Sequence, residues 1–255
     1  MSQTDPFRLD QKHAVVTGAG KGIGRGIAHQ LARAGASVTV SARTQADLDS
    51  LVAEIQAAGG QAHAVVADVT VKEQLELVAA LASEHAGGPI DIWVNNAGGL
   101  PDATPRYLTK TPEDRWDAQM DLNLKAVFSA CQVAANHLAD GGSIINISSQ
   151  AGRGTGNIKN GPYAASKAAV NSLTATYALE LAPKIRVNAV GPGPIPTDNF
   201  NQSTNFPDDA PIEKIIRVPL GRLGTPDDIG NAVVFLASEA SSWITGQCLY
   251  VNGGL

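Results

Sequence analysis

Residues 17–24 read Thr-Gly-Ala-Gly-Lys-Gly-Ile-Gly, and this glycine-rich stretch separates a short apolar run from a helical pattern. The apolar run before it is His13–Thr17, and the helical pattern after it ends at Gly35. A strand, a glycine-rich turn and a helix in this order predict a site for the pyrophosphate of a dinucleotide, because glycines let the main chain approach phosphate closely. The alternative is a tight strand–helix turn without a ligand. The spacing is TGxxxGxG and not GxGxxG.

Strand-like and helix-like segments alternate along the rest of the chain. Further runs of strand length occupy residues 37–41, 62–66, 90–94, 142–147, 185–190 and 248–251. Helical patterns fill residues 45–58, 72–85, a long stretch that reaches Ala139, and 163–181. Apolar strands that alternate with helices are typical of parallel βαβ units whose sheet is covered on both faces. The sequence therefore predicts the α/β class.

We expect one domain over residues 1–255, a doubly wound Rossmann fold with a seven-stranded parallel sheet. Residues 1–11 are predicted to be an N-terminal extension, and residues 191–225 a substrate-loop region. Two segments, 99–111 and 191–211, lack a clear pattern and follow strand ends. Open α/β sheets bind ligands at that edge, which favours lid or pocket roles over plain surface loops.

The composition narrows the class of protein. The 255 residues are 44% hydrophobic and 17% charged, which excludes disorder as a description of the whole chain. The two cysteines, Cys131 and Cys248, lie in apolar stretches and are predicted to be small core residues, not a disulfide framework. A net charge of −5 argues against nucleic acid or an anionic membrane as the main partner. Without a secretory signal or a long apolar run, a soluble cytoplasmic protein is expected.

The end of the second predicted strand indicates which dinucleotide is bound. Residues 41–44 read Ser-Ala-Arg-Thr, with no acidic residue to bind the ribose hydroxyls and repel a 2′-phosphate. Arg43 there and Lys21 in the glycine turn favour NADP(H), although either cation alone is typical of a solvated surface. Asp47 and Asp49 follow and are interpreted as acids at a helix start.

A second group of residues suggests proton chemistry. Tyr163 and Lys167 are four apart at the start of a helical pattern, so both side chains lie on one helix face. A nearby cation favours the phenolate and lowers a tyrosine pKa from about 10, which makes a proton donor and acceptor usable near neutral pH. A surface Tyr–Lys pair is the alternative.

Three more polar residues are candidates for the same chemistry. Ser148 and Ser149 end the fifth predicted strand, where a hydroxyl can hydrogen-bond a substrate oxygen. A nucleophilic serine is less favoured because no GxSxG motif is present. Asn123 is polar among apolar neighbours, which makes it a further candidate for the site. The alternative is a buried amide that only satisfies main-chain groups.

Together these motifs resemble the short-chain dehydrogenase/reductase family over essentially the whole chain. The glycine turn, Asp68, the NNAG of residues 95–98, Asn123, Ser149, the YxxxK of residues 163–167 and Pro192-Gly193 occur in the family's order. The stretches around the glycine turn and the second strand look like the carbonyl and xylulose reductase branch, which uses NADP(H). The resemblance implies hydride transfer between a nicotinamide and a carbonyl or alcohol carbon.

The resemblance also implies roles for individual residues. Asn123 would hold a water in a proton relay, Ser149 would orient the substrate oxygen, and Tyr163 would act as acid and base. Lys167 would bind the nicotinamide ribose and lower the Tyr163 pKa, Asp68 and Val69 would touch the adenine, and Asn95 would line the cofactor cleft. No metal ligand is implied. The implied cofactor-binding residues are Gly18, Gly20, Lys21, Gly22, Ile23, Gly24, Arg43, Asp68, Val69, Asn95, Ala97, Gly98, Tyr163, Lys167, Pro192, Gly193, Ile195 and Thr197.

Two departures from the family pattern concern loop length. The interval between Ser149 and Tyr163 is one residue longer than usual, which leaves the shape of that pocket wall open. The turn 182–185 is one residue shorter and lies away from the inferred chemistry.

Several functions remain open at this point. The leading hypothesis is an NADP(H)-dependent carbonyl reductase or alcohol dehydrogenase acting on a small molecule. A 3-oxoacyl thioester reductase is the alternative, weakened because residues 135–142 contain no Lys or Arg to hold an acidic carrier. Steroids, sugars and small ketones stay open as substrates, and an inactive NADP(H)-binding sensor is a further alternative. By resemblance, the chain is expected to form a homo-oligomer, and specifically a tetramer.

Overall fold

A computed structural model describes residues 5–154, 159–197, 200 and 216–255. One parallel sheet of seven strands runs through it in the order β3-β2-β1-β4-β5-β6-β7. This confirms the predicted α/β class, the doubly wound Rossmann fold and the seven-stranded parallel sheet. The strands are β1 (His13–Thr17), β2 (Ser37–Ala42), β3 (Ala62–Val66), β4 (Ile90–Asn95), β5 (Leu138–Ile147), β6 (Ile185–Pro192) and β7 (Cys248–Val251).

Helices cover both faces of the sheet. One apolar cluster joins the sheet to α1, α2 and α7, and a second joins it to α3, α5 and α6, so the chain winds to each side in turn. The helices are α1 (Gly22–Arg33), α2 (Gln45–Ala57), α3 (Lys72–Ala86), α4 (Glu113–Met120), α5 (Ala126–His137), α6 (Gly161–Leu181) and α7 (Pro226–Ala237). None of the helices described is both long and apolar enough to cross a membrane.

The strand order places a crevice at the middle of the sheet. β1 pairs with β2 on one side and with β4 on the other, so the chain reverses direction across the sheet at β1. Val16, Val94 and Ile145 are in register across β1, β4 and β5. The carboxyl ends of these three strands therefore meet at one edge, where ligands of this fold class bind.

The long helix predicted to reach Ala139 is interrupted and ends earlier. α4 passes into a π-helical turn, Asp121–Lys125, and α5 then ends at His137. β5 begins at Leu138, four residues before the predicted start of that strand at Gly142. Extended pairing with β4 and a register shift between Ile90 and Ile92 account for the earlier start.

The sequence pattern did not identify α7. Thr225 caps it in a capping box with Asp228, and Pro226 occupies its first turn. A Thr-Pro-Asp-Asp start before an apolar run was a signal that could have revealed this helix. α7 packs on α1 at close range: a Cβ on Gly26 would lie 2.5 Å from Pro226 Cβ.

The predicted N-terminal extension is attached to the domain in its described part. Leu9 is 2% exposed and joins the core, and its N–H donates to Ala34 O. Phe7 packs against Phe235 of α7, with ring centroids 6.2 Å apart. Cys131 is buried in α5, as predicted, and Cys248 is partly buried in β7; both are free thiols.

Candidate active site

The glycine turn after β1 is held against the start of the segment that follows β4. Gly18 has φ +63°, and a Cβ there would lie 2.7 Å from Ala97 Cα. A Cβ on Gly24 would overlap the Asn96 amide and Gly18 O. Both positions therefore require glycine, one for its conformation and one for the close approach.

The first turn of α1 presents main-chain donors to this edge. α1 begins at Gly22, and Lys21 at its N-cap makes no side-chain capping hydrogen bond. No acidic residue lies in the first turn, so the N–H groups and the positive end of the helix dipole are available to an anion. Thr197 lies beside them, 3.2 Å from a Cβ built on Gly22. This cradle fits the pyrophosphate of a dinucleotide.

Two asparagines stand at the end of β4, Asn95 as its last residue and Asn96 directly after it, and they have different roles. Asn95 was expected to line the cofactor cleft, but its side chain is 3% exposed and bonds the side chains of Trp93, Cys131 and Asn146. Asn96 instead donates from Nδ2 to Thr17 O at 2.9 Å and to Gly18 O at 3.0 Å. The expectation is corrected because side chains alternate across a strand: Asn95 points into the helical layer and its neighbour secures the glycine turn.

The cations expected beside the ribose are not equivalent. Lys21 pairs with Asp47 of α2 at 3.7 Å between Nζ and Oδ2. Arg43 is exposed at the end of β2, and within the described ranges its side chain makes no hydrogen bond or ion pair. Arg43 is thus the cation available to a 2′-phosphate, while the charge of Lys21 is partly balanced.

Asp68 and Val69 lie past the end of β3, at the same edge of the sheet. Asp68 Oδ1 accepts from Thr70 N–H at 2.9 Å and from Thr70 Oγ1 at 2.7 Å. These hydrogen bonds lower the Asp68 pKa, and the charge of Arg43 lowers it further. Asp68 is therefore an ionised acceptor, and Val69 beside it is buried, which suits an adenine ring.

Tyr163 and Lys167 project from one face of α6. Lys167 is 3% exposed, and its Nζ donates to Ile147 O at 2.8 Å and lies 5.8 Å from the centre of the Tyr163 ring. Burial lowers the Lys167 pKa to about 8. The spacing of four residues therefore places phenol and ammonium side by side, as the sequence predicted.

Ser149 and Tyr163 hydrogen-bond each other through their side chains. Burial raises the Tyr163 pKa above its usual value, and the Ser149 hydrogen bond opposes that rise. The expectation that Lys167 lowers the Tyr163 pKa is not met in this structure, because desolvation dominates and the ammonium is directed at Ile147 O. Tyr163 is consequently a neutral phenol at neutral pH, which suits a proton donor.

Asn123 lies in the π-helical turn and is fully buried. Its Oδ1 accepts from Gly99 N–H at 2.9 Å, and its Nδ2 donates to Gly99 O at 2.9 Å and to Gln119 O at 3.2 Å. Main-chain groups therefore occupy the side-chain amide, and Asn123 fixes the first residue of segment 99–111. The water of a proton relay at Asn123 stays a prediction.

Gly98 brings the separate parts of the site together. A Cβ there would lie 2.8 Å from Asn123 Oδ1 and 3.3 Å from Lys167 Nζ. The absence of a side chain at this position lets the end of the NNAG motif pass between the π-helical turn and α6. Gly98 and Ala97 therefore lie between the glycine turn and the Tyr163–Lys167 face.

The predicted substrate-loop region begins where β6 ends. Gly193 N–H donates to Val251 O at 3.0 Å, Ile195 is 3% exposed, and Pro192 is the last residue of β6. With Thr197 above the glycine turn, this segment extends from the sheet edge over α1. Within that region, residues 198–199 and 201–215 lie outside the described residues.

Comparison with known proteins gives consistent matches over nearly the full length. A family model described as enoyl-(acyl carrier protein) reductase matches residues 18–255. The chain is similar to 3-oxoacyl-[acyl-carrier-protein] reductase of Thermotoga maritima, with 40% identity over 253 residues, 98% of this chain and 99% of that protein.

Two solved structures have the same fold. One is a 7α-hydroxysteroid dehydrogenase complexed with NADH and 7-oxo glycochenodeoxycholic acid, with TM-score 0.90 and 40% identity over 100% of this chain and 98% of that one. The other is a short-chain dehydrogenase of Burkholderia cenocepacia in complex with NADP, with TM-score 0.86 and 33% identity over 97% of this chain and 98% of that one.

Proposed function

Because this chain belongs to the short-chain dehydrogenase/reductase family, we propose that it is an NADP(H)-dependent oxidoreductase that interconverts a carbonyl and a secondary alcohol. The observation that carries the proposal is the contact of Ser149 with Tyr163, beside the Lys167 ammonium and next to an uncapped helix N-terminus. A proton donor, an orienting hydroxyl and a pyrophosphate cradle at one sheet edge are the parts that this reaction needs.

The residues divide the work as follows. Ser149 donates a hydrogen bond to the substrate oxygen and holds it beside the Tyr163 phenol. Tyr163 gives its proton to that oxygen during reduction and removes a proton from the alcohol during oxidation. Lys167 supplies a positive charge within 5.8 Å of the ring and a donor for the cofactor ribose. The bound nicotinamide supplies or accepts the hydride.

The preference for NADP(H) rests on Arg43. The Arg43 guanidinium is exposed after β2, and no described residue forms a hydrogen bond or ion pair with it, so it is suited to charge-assisted bidentate hydrogen bonds with a phosphate. The neighbouring Lys21–Asp47 pair adds less, because Asp47 offsets the lysine charge. The NADP-bound relative from Burkholderia cenocepacia supports this preference and the NADH-bound dehydrogenase opposes it, so kinetics with both cofactors decide.

Two more specific substrates are favoured by particular similarities. The relative from Thermotoga maritima favours a 3-oxoacyl thioester, whereas residues 135–142 offer no cation for an acidic carrier. The hydroxysteroid dehydrogenase structure favours a steroid. A panel of small ketones, sugars, oxo-steroids and a 3-oxoacyl thioester, followed by NADPH absorbance, separates these. If the protein binds NADPH tightly but oxidises it with no compound of the panel, the result would favour an inactive sensor and contradict the proposal.

We also propose that the chain forms a homotetramer. Large apolar side chains stand exposed: Trp243 is 98% exposed, Leu179 of α6 85% and Leu220 76%. Exposed apolar side chains are suited to contacts between subunits, and most soluble oligomers close with two-fold symmetry. These side chains support the proposed assembly.

A further inference from the structure

The serine of the candidate active site belongs to a short turn that ends at an arginine. Ser149 caps the 3₁₀ turn Gln150–Arg153, accepting from Ala151 N–H at its hydroxyl and from Gly152 N–H at its main-chain oxygen. The hydroxyl position therefore depends on how this turn sits on the rest of the protein.

The turn is seated on the catalytic face of α6. A Cβ on Gly152 would lie 2.8 Å from the main-chain oxygen of Lys167, so the two backbones touch. Asn171, four residues after Lys167 on the same face, donates from Nδ2 to Gly152 O at 3.0 Å. Asn171 thereby ties the turn of Ser149 to the helix that carries Tyr163.

The same amide reaches a third element. Asn171 Nδ2 also donates to the Tyr250 hydroxyl of β7 at 3.1 Å. The Tyr250 ring packs against Gly191 of β6, where a Cβ would lie 2.5 Å from Tyr250 Cδ1. Arg153, at the far end of the turn, lies 5.0 Å over the Tyr250 ring and donates to Leu255 O at 2.7 Å.

We propose that Arg153, Asn171 and Tyr250 form a bracket that positions Ser149 against Tyr163, and that the bracket serves turnover and not only folding. This inference rests on the proposed function for its catalytic consequence. The bracket holds Gly152 on α6 and Arg153 on β7, and Gly152 N–H in turn donates to Ser149 O, so the turn that carries the Ser149 hydroxyl is fixed relative to the helix of Tyr163.

The bracket residues are positioning residues because none reaches the reacting atoms in this arrangement. Loss of the bracket should displace the Ser149 hydroxyl by up to about 1 Å. A displacement of about 1 Å near reacting groups costs up to about 100-fold in rate. Cofactor affinity should hold, because the glycine turn and Arg43 lie on other elements.

Kinetics on Asn171→Ala and Tyr250→Phe test the proposal, with Thr176→Ala as the matched control. Thr176 is exposed on the same helix and bonds only its own turn, at Ser172 O. We expect kcat to fall about tenfold or more in Asn171→Ala, less in Tyr250→Phe, with the KM for NADPH within about twofold of wild type. The kcat of the double variant should be no lower than that of Asn171→Ala alone, because Asn171→Ala already removes the Asn171–Tyr250 hydrogen bond that Tyr250→Phe breaks.

A pH profile distinguishes positioning from general destabilisation. The Ser149 hydrogen bond favours the phenolate, so a displaced serine should move the pH profile of alcohol oxidation to higher pH, as Ser149→Ala does. A bracket that served only stability would lower the folded fraction without moving this profile. An unchanged profile and unchanged kcat in Asn171→Ala would overturn the proposal.

Hydrogen exchange provides a readout that needs no turnover. The peptide that covers residues 148–154 should exchange faster in Asn171→Ala and Tyr250→Phe than in wild type or Thr176→Ala, because the amides of Ala151 and Gly152 report on the turn. Equal exchange in all four proteins would overturn the bracket. If none of the carbonyls in the panel supports NADPH oxidation by the wild type, the proposed function is overturned instead, whatever the exchange result.

Discussion

Lys167 Nζ donates a hydrogen bond of 2.8 Å to the main-chain oxygen of Ile147. Ile147 is the last residue of β5 and stands two positions before Ser149, so this bond joins the catalytic face of α6 to the strand end that carries the serine. Burial lowers the Lys167 pKa to about 8, so the ammonium is charged below that pH and held by a neutral carbonyl. Lys167 therefore stays close to Tyr163 with a main-chain oxygen, and not a carboxylate, as its hydrogen-bond partner.

Tyr163→Phe should remove most of the turnover and leave NADPH binding nearly unchanged. The ring stays in place while the proton donor is lost, and general acid catalysis contributes about 10²–10⁴-fold. Steady-state turnover with the best carbonyl of the panel and an NADPH fluorescence titration measure both effects. Tyr177→Phe is the matched control, because its hydroxyl on the same helix bonds only Phe128 O. Near-wild-type turnover in Tyr163→Phe would mean that another acid acts.

Lys167→Ala should lower turnover and NADPH affinity together, because one side chain supplies both the charge beside Tyr163 and the ribose donor. In wild type, NADPH affinity should fall as pH rises past about 8, where the buried ammonium loses its proton. Lys167→Ala should show no such step. NADPH titrations across this pH range check both statements, and an identical pH dependence in the two proteins would contradict the role given to Lys167.

Arg43→Ala should lower kcat/KM for NADPH by about ten- to a hundredfold and leave the value for NADH nearly unchanged. In the proposed complex, the guanidinium would contact the 2′-phosphate that distinguishes the two cofactors. Arg33→Ala is the control, since it removes a surface arginine that pairs with Asp227. Equal or better efficiency of the wild type with NADH would refute the NADP(H) preference.

A histidine cluster lies at the opposite edge of the sheet, away from the site. His13 on β1 is 2% exposed, with Nδ1 2.6 Å from Ser37 Oγ and Nε2 2.9 Å from Thr39 Oγ1. The same threonine hydroxyl lies 3.2 Å from His85 Nδ1, and the His85 ring stacks on His63 with centroids 4.0 Å apart. Burial lowers the pKa values of His13 and His85, which favours their neutral forms.

Acid should destabilise the fold through this cluster. The His13 pKa is lowered to about 4, and burial is the largest cause. Charge interactions with His63 and His85 lower it as well, and the charge of Asp91 opposes them. An unfolded histidine titrates near 6.5, so the unfolded chain takes up the proton first as pH falls. The free energy of unfolding should therefore drop between about pH 6.5 and about pH 4, by about 3 kcal/mol from His13.

Urea unfolding over this pH range measures the effect. His13→Gln should flatten the pH dependence, because it removes the buried imidazole with the lowered pKa. The same slope in wild type and His13→Gln would show that other groups govern acid unfolding.

Light scattering should give the mass of four chains at micromolar concentration. Trp243→Asp should reduce that mass, because an indole that is 98% exposed is suited to an apolar contact between subunits and a carboxylate is not. Lys184→Asp, a charge change at another exposed position, is the control. A monomer in wild type would contradict the expected assembly.

Local patterns in the sequence were sufficient for the sheet, most helices and the pairing of Tyr163 with Lys167. Strand and helix periodicity depend on neighbouring residues, and a spacing of four on a helix places two side chains on one face whatever surrounds them. The glycine turn was identifiable for the same reason, since φ +63° at Gly18 is a local requirement.

Tertiary structure decided what the local pattern left ambiguous. The two asparagines of the NNAG motif differ by one position, and a shift of one residue in a strand exchanges its two faces, so only the register of β4 shows that Asn96 secures the glycine turn. The hydrogen bonds of the Asn123 side chain likewise depend on the position of Gly99. The Tyr163 pKa depends on how deeply the phenol is buried. Arg153 and Leu255 are 102 residues apart, and their contact exists only because β6 and β7 bring the end of the chain back to the site. Contacts between distant segments depend on packing, which no local periodicity encodes.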